Sequence, residues 1–143
     1  MIRKCNSDDL LSLEQLEKSC FKSPLDYNFL KQDIENNPFS NYLCYEENGV
    51  VIGYIGLWIA DIGSIINLCV NELHRRKQIA SMLLEEAIKQ CENKEVTQIS
   101  LDVRVSNDKA RNLYNKYNFK EVLIRKNYYD NKEDAIVMVR SSI

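Results

Sequence analysis

The residues best equipped for chemistry gather in one short run, His74-Arg75-Arg76-Lys77-Gln78-Ile79-Ala80, where three cations stand at the predicted start of a long amphipathic helix. The helix dipole already leaves that end positive, so the cations cost stability unless an anion sits among them. Unpaired backbone N–H groups with Arg and Lys around them form a phosphate-sized site. A solvated charged turn is the other reading of the same run. His74 is the sole histidine; it reads as a loop residue that adds to the anion site, and a histidine-based metal centre is not expected. The five cysteines, Cys5, Cys20, Cys44, Cys69 and Cys91, are widely spaced and include no CxxC pair, which suggests neither a disulfide framework nor a thiolate zinc site. They read as reduced, mostly buried thiols, and Cys69, in an apolar strand without a base nearby in sequence, reads as structural.

These residues need a scaffold. The 143 residues are 45% apolar and 28% charged, with 4 Gly and 2 Pro, a balance that fits one compact domain over residues 1–143 and excludes disordered or low-complexity classes. Nineteen Lys and Arg stand against 21 Asp and Glu, so no global positive field favours nucleic acid. The N-terminus lacks an apolar signal core and the longest apolar run, Gly53 to Ala60, is too short to span a bilayer. A cytoplasmic protein without membrane contact is the expectation.

Spacing predicts a strand over Ile2–Cys5, a helix capped by Asn6 or Ser7, a second helix over Asp26–Asn36, and strands over Asn41–Glu46, Val50–Ala60 and Ile62–Val70. A helix over Gln78–Cys91 follows, with Ile79, Met82, Leu83, Ala87, Ile88 and Cys91 on one side. From Val96 to Val105 the period becomes two, placing Asp102 on the polar side with Gln98, Ser100 and Arg104. An exposed Asp paired with Arg104 or a nearby Lys is the bland reading. A shorter helix over Asn107–Lys116 carries Ala110, Leu113, Tyr114 and Tyr117 in one stripe, which by periodicity alone makes Tyr114 a core aromatic; Asn118 ends it in a left-handed turn. Strands near Phe119–Lys126 and Asp134–Val139 close the chain. The order predicts a mixed α/β fold, a mostly antiparallel central sheet with helices on both faces.

Arg75-x-x-Gln78-x-Ala80 before the long helix, then Asn107-x-x-Ala110-x-x-Leu113-Tyr114-x-x-x-Asn118-Phe119, resemble the two motifs of the GCN5-related N-acetyltransferases (GNAT), Q/R-x-x-G-x-G/A and N-x-x-A-x-x-L-Y-x-x-x-G-F. Cys20-Phe21-x-x-Pro24, Asn67-Leu68-x-Val70, Leu101-Asp102-Val103-Arg104-x-Ser106-Asn107, Arg125-x-Asn127-Tyr128-Tyr129 and Glu133-Asp134-Ala135 are similar to the RimI-like branch, ribosomal-protein-alanine N-acetyltransferases. The resemblance covers nearly the whole chain. It implies the acyl-CoA acyltransferase fold and direct acetyl transfer from acetyl-CoA, without a metal, to the N-terminal α-amino group of a protein, a ribosomal protein in that branch.

By the same resemblance Leu68, Cys69 and Val70 offer backbone hydrogen bonds to the pantetheine arm, with an oxyanion-stabilising N–H near Cys69 or Val70. Arg75, Arg76, Lys77, Gln78, Ile79 and Ala80 wrap the pyrophosphate, and Asn107 contacts the cofactor. Asp102 matches the general base, Tyr114 the acid that protonates the departing thiolate, and Tyr128 and Tyr129 help hold the acceptor peptide. Three positions depart from the pattern: Gln78 and Asn118 stand where the family has Gly, and Asp102 where the branch has Glu. A small amine or a lysine side chain as acceptor is one alternative; a weakly active acyl-CoA-binding protein is another, prompted by Gln78 and Asp102.

Overall fold

The computed structural model describes residues 1–142; the side chains of Arg76 and Lys77 also lie outside the described residues. The chain opens with β1 (Ile2–Lys4) and a 3-10 turn (Ser7–Asp9) that runs into α1 (Leu10–Cys20). Asn6 caps the turn, its Oδ1 accepting from Asp8 N at 2.8 Å, while the Asp9 carboxylate reaches back to Asn6 N at 2.9 Å. Asp26 caps α2 (Tyr27–Asn36), its Oδ1 accepting from Phe29 N at 2.8 Å. β2 (Ser40–Glu47) and β3 (Val50–Ile59) form a hairpin whose turn residues Asn48 and Gly49 take φ of 53° and 80°, the left-handed pair that matches strand twist. β4 (Gly63–Val70), a 3-10 segment (Glu72–Lys77), α3 (Ile79–Asn93), β5 (Gln98–Arg104), α4 (Asp108–Lys116), β6 (Lys120–Arg125) and β7 (Ala135–Ser141) complete the chain. Every expected element is present, with ends moved by a few residues.

The strands form one seven-stranded sheet in the order β1-β2-β3-β4-β5-β7-β6. All neighbours are antiparallel except β4 and β5, which run parallel and pair only at Gly63↔Ile99 and Ser64↔Ser100. Alternation along the strands feeds two cores. Leu43, Ile55, Leu83, Leu84 and Tyr114 share one with α3 and α4; Tyr42, Cys44, Tyr54, Leu13 and Leu30 share the other with α1 and α2. Helices therefore cover both faces, as the pattern predicts. The β3/β4 register shifts between Gly56 and Leu57, a bulge that bends β4 away from β5 as their pairing ends. At Gly53 a Cβ would meet Cys69 O at 3.2 Å and Ile79 Cγ2 at 3.4 Å, so the absent side chain lets β3 press against β4 and α3. Among the described residues no helix is long and apolar enough to cross a membrane.

An ionic clasp fixes the N-terminal strand. Arg3 Nη1 and Nη2 donate to the two oxygens of buried Asp9 at 2.9 and 2.8 Å, and Nη2 also donates to Glu46 at 2.9 Å. The Arg3 guanidinium holds the Asp9 carboxyl below its ordinary value, so the stabilisation is present above about pH 4 and fades as pH falls through the depressed folded value. Arg3→Ala is expected to cost about 2–3 kcal/mol, near the lower edge for orphaning one member of a buried pair. Urea titrations should give that gap at pH 7 and a narrowing gap in acid; an unchanged midpoint at pH 7 would refute the clasp.

Candidate active site

Where β4 and β5 part, a cavity of about 400 Å³ lies between the end of β4, the start of α3 and the first turns of α4. Leu68, Cys69 and Val70 form its strand wall, Gln78, Ala80 and Ser81 its helix wall, and Asn107 and Tyr114 its floor. Extended backbone beside a helix N-terminus suits an elongated ligand ending in an anion. Arg75 lines the cavity, but its guanidinium is turned inward: Nε donates to Val70 O at 3.2 Å and Nη2 to Cys20 Sγ at 3.6 Å. His74 Nδ1 is buried without a hydrogen-bond partner among the described residues. His74 is not among the residues that line this cavity.

Gln78 does not begin the helix as its spacing suggests. It is the N-cap, at φ 59° and ψ 26°, and α3 starts at Ile79. A left-handed residue is needed to turn the 3-10 segment into α3, and a non-Gly residue there costs roughly 1–2 kcal/mol. Ile79 is 1% exposed and belongs to the core, so only its backbone is available to a ligand. Asn107 caps α4, its Oδ1 accepting from Ala110 N at 3.2 Å, and it borders both this cavity and the next.

The second cavity, about 120 Å³, lies across Tyr114 and is lined by Phe21, Ser23, Asn67, Asp102, Arg104 and Tyr129 among others. Asp102 is on the polar face of β5, as alternation predicts, and is exposed. It pairs with Arg125, Nε to Oδ1 at 3.4 Å, and not with Arg104, which is held by Glu133 at 3.1 Å. Tyr114 is 6% exposed, packs edge-on against Phe119 at 5.5 Å and lines both cavities. Burial, with the nearby Tyr129, raises its phenol above the ordinary value, so it stays protonated over the working range. Tyr129 faces the smaller cavity under the Arg104 guanidinium, 4.0 Å from the ring centroid, while Tyr128 is 52% exposed and packs against Tyr129 at 5.1 Å and under Arg125 at 5.9 Å.

Several lining residues have no role assigned by spacing or motif. Phe21 and Ser23 belong to the α1–α2 loop, and Asn67 to β4; their sole signal is membership of, or position within, the branch-like strings. Asn67 and the loop are held by Glu17, which is fully buried and accepts from Leu25 N at 2.8 Å, from Asn67 Nδ2 at 2.9 Å and from the Tyr54 hydroxyl. Burial pushes the Glu17 carboxyl up against these donors, and the network ties the loop to β4. Cys5, Asp9 and Cys44 bring three ligand-type atoms within 4.8 Å of one another, a grouping invisible in sequence, but both Asp9 oxygens are taken by Arg3.

The acetyltransferase (GNAT) family model matches residues 8–119. A candidate ribosomal protein bS18-alanine N-acetyltransferase of Bacillus subtilis is 35% identical over 139 residues, covering 96% of this chain and 92% of that protein. An N-alpha-acetyltransferase of Saccharolobus solfataricus is 31% identical, covering 97% and 91%. The chain belongs to the GNAT family. The crystal structure of the ribosomal-protein-S18-alanine N-acetyltransferase from Escherichia coli superposes with a TM-score of 0.91 at 26% identity, over 99% of this chain and 92% of that one. This GNAT protein is therefore an N-acetyltransferase that takes its acetyl group from acetyl-CoA, and the larger cavity, with its strand wall and helix N-terminus, fits that donor.

In a GNAT chain with Gln at the left-handed position, Gln78→Gly should relieve the backbone. The expected gain is about 1 kcal/mol, or roughly 3 °C in Tm for a chain of this size, with a lower KM for acetyl-CoA. Calorimetry and CoA-release assays read both; a lower Tm with a higher KM would mean that the Gln78 side chain contributes more than its strain costs.

Proposed function

We propose that this GNAT enzyme acetylates the N-terminal α-amino group of a protein, with a ribosomal protein in the cytoplasm as its acceptor and residues 1–143 working as one domain. The observation that carries the reading is the position of Tyr114, the buried side chain shared by the donor-sized and acceptor-sized cavities, with Asp102 also lining the smaller one. Relatives named for bS18-alanine and for N-alpha acetylation support the acceptor class.

Acetyl-CoA supplies an activated acetyl thioester when bound. Backbone groups of Leu68, Cys69 and Val70 would hold its arm, residues Arg75 to Ala80 its diphosphate, and Asn107 the adjoining segment. An α-amino group has a pKa near 7.7–8.0, so a sizeable fraction is neutral at pH 7, whereas a lysine amine near 10.4 needs far more help. Little is then asked of Asp102, which accepts the amine proton directly or through one water; the water compensates for a side chain one methylene shorter than Glu. Tyr114 keeps its proton until the sulfur leaves, and donates it there. Tyr129, backed by Tyr128 and facing Phe21, lines the entry for an extended acceptor segment.

Tyr114→Phe should lower kcat by about a hundredfold, and Asp102→Ala by about tenfold or more, with the KM for acetyl-CoA unchanged in both. A KM effect without a kcat effect would reassign Tyr114 to packing. Turnover on peptides with a free N-terminus, none on N-blocked peptides containing lysine, and none on polyamines is the expected selectivity; turnover confined to polyamines would replace this acceptor with a small amine.

A further inference from the structure

Arg104 is the last residue of β5 and lines the smaller cavity. Its Nη1 donates to Asn131 Oδ1 at 2.9 Å and to Glu133 Oε1 at 3.1 Å, while the guanidinium lies over the Tyr129 ring, 4.0 Å from the centroid. The Arg104 and Glu133 side chains are only 18% and 15% exposed, which sets them apart from the open surface pairs that contribute little. Glu133 is tied on its other sides as well: Oε2 accepts from Ser106 N at 2.9 Å, and its backbone O accepts from Tyr129 N at 3.1 Å. The bonds from Ser106, with Arg104 after them, hold the Glu133 carboxyl down to about 2, so the pair is charged on both sides over the working range.

We propose that Arg104 is a positioning residue for the acceptor: clamped by Glu133 and Asn131, it fixes the Tyr129 ring as a wall of the smaller cavity and thereby sets how tightly the acceptor amine is held. Tyr129 is the residue of the β6–β7 loop that lines this cavity, so the loop acts on an acceptor through that ring.

Strand pairing does not fix the ring. The β6–β7 ladder ends at Arg125↔Ala135, and between those residues Asn127 and Lys132 turn through φ of 53° and 70°. A ring carried on such a loop loses freedom when an acceptor settles against it, and the loss is subtracted from affinity unless the fold has already imposed it. Arg104 imposes it. The edge of the guanidinium donates to Asn131 and Glu133 while its flat face covers the ring, a combination open to a planar guanidinium and closed to the point charge of a lysine. The effect on acceptor affinity rests on reading the smaller cavity as the acceptor site; the stack itself does not.

The test measures kcat, the KM for a peptide with a free N-terminus, the KM for acetyl-CoA, and Tm on the full-length chain. Arg104→Ala should raise the peptide KM roughly tenfold while kcat and the acetyl-CoA KM stay within about twofold. Arg104→Lys keeps a charge for Glu133 and loses the flat stack, so it should recover the Tm and leave the peptide KM raised; recovery of both would assign Arg104 to stability alone and overturn the proposal. Because Arg104 acts through the ring, adding Arg104→Ala to Tyr129→Ala should raise the peptide KM no further than Tyr129→Ala does. Factors that multiply would mean independent action and overturn it as well. A readout free of turnover is the NMR shift of the Arg104 side-chain protons, which the Tyr129 ring should move upfield in the wild type and less so in Glu133→Gln. No upfield shift in the wild type overturns the stack. Turnover of polyamines without any of peptides would sink the N-terminal acceptor reading, and the ring-current shift would still decide whether Arg104 holds Tyr129.

Discussion

The parting of β4 and β5 is the constraint on which the molecule is built. Parallel strands side by side normally satisfy one another's backbone groups, and here the pairing stops after Ser64↔Ser100. From there to Val70 the strand faces a gap, and buried backbone N–H and C=O groups must find partners elsewhere. The fold supplies few: Arg75 Nε to Val70 O is one. What remains is an extended edge of donors and acceptors inside the protein, open to a ligand that can run alongside it as a further strand would. The parallel step in an otherwise antiparallel sheet, the bulge next to Gly56 and the closeness of β3 to β4 at Gly53 serve this one opening.

The same opening explains why strain is tolerated at Gln78. A chain that leaves β4 and must start a helix pointing its N–H groups at the end of the gap has little room, and the six-residue 3-10 segment ends in a left-handed residue for that reason. Strain of this kind persists when the surroundings over-determine it. Ile79 is locked in the core on one side and the cap at Asn71, whose Oδ1 accepts from Leu73 N at 2.9 Å, pins the other. The helix start is therefore held in place by the fold itself.

Much of this is legible in the residues because it is local. Period-two alternation puts Asp102 on the polar face of β5, and Asn118 takes the left-handed turn at φ 68° that its position after α4 predicts. The helix-dipole argument points to the start of α3, which lines the larger cavity. What escapes is what distance in sequence hides. Pairing Asp102 with Arg125 and not Arg104 depends on the β5-β7-β6 order, which brings Arg125 across the sheet to Asp102. The Glu17 network spans α1, β3 and β4, and the contact of Cys20 with Arg75 joins α1 to the 3-10 segment; no spacing rule within one element could show either. Gln78 looks helical in sequence because periodicity does not register a single left-handed residue.

Tyr114 shows why core and site cannot be separated here. Its place in the α4 stripe, with Ala110 and Leu113, is a packing position, and the structure buries it accordingly against Phe119. Yet the gap between β4 and β5 means that the layer beneath α4 is not closed, so the same packing carries the phenol to the boundary of two cavities. A solvent-exposed tyrosine would have its ordinary acidity and freedom to move; one seated in a core has neither, and its hydroxyl is delivered to one place. Asn107 reinforces this by capping α4 while bordering both cavities, so the helix that carries the tyrosine is anchored at the site itself. Positional precision at the boundary of the two cavities is thus a by-product of core packing, obtained because the sheet is left open at that depth.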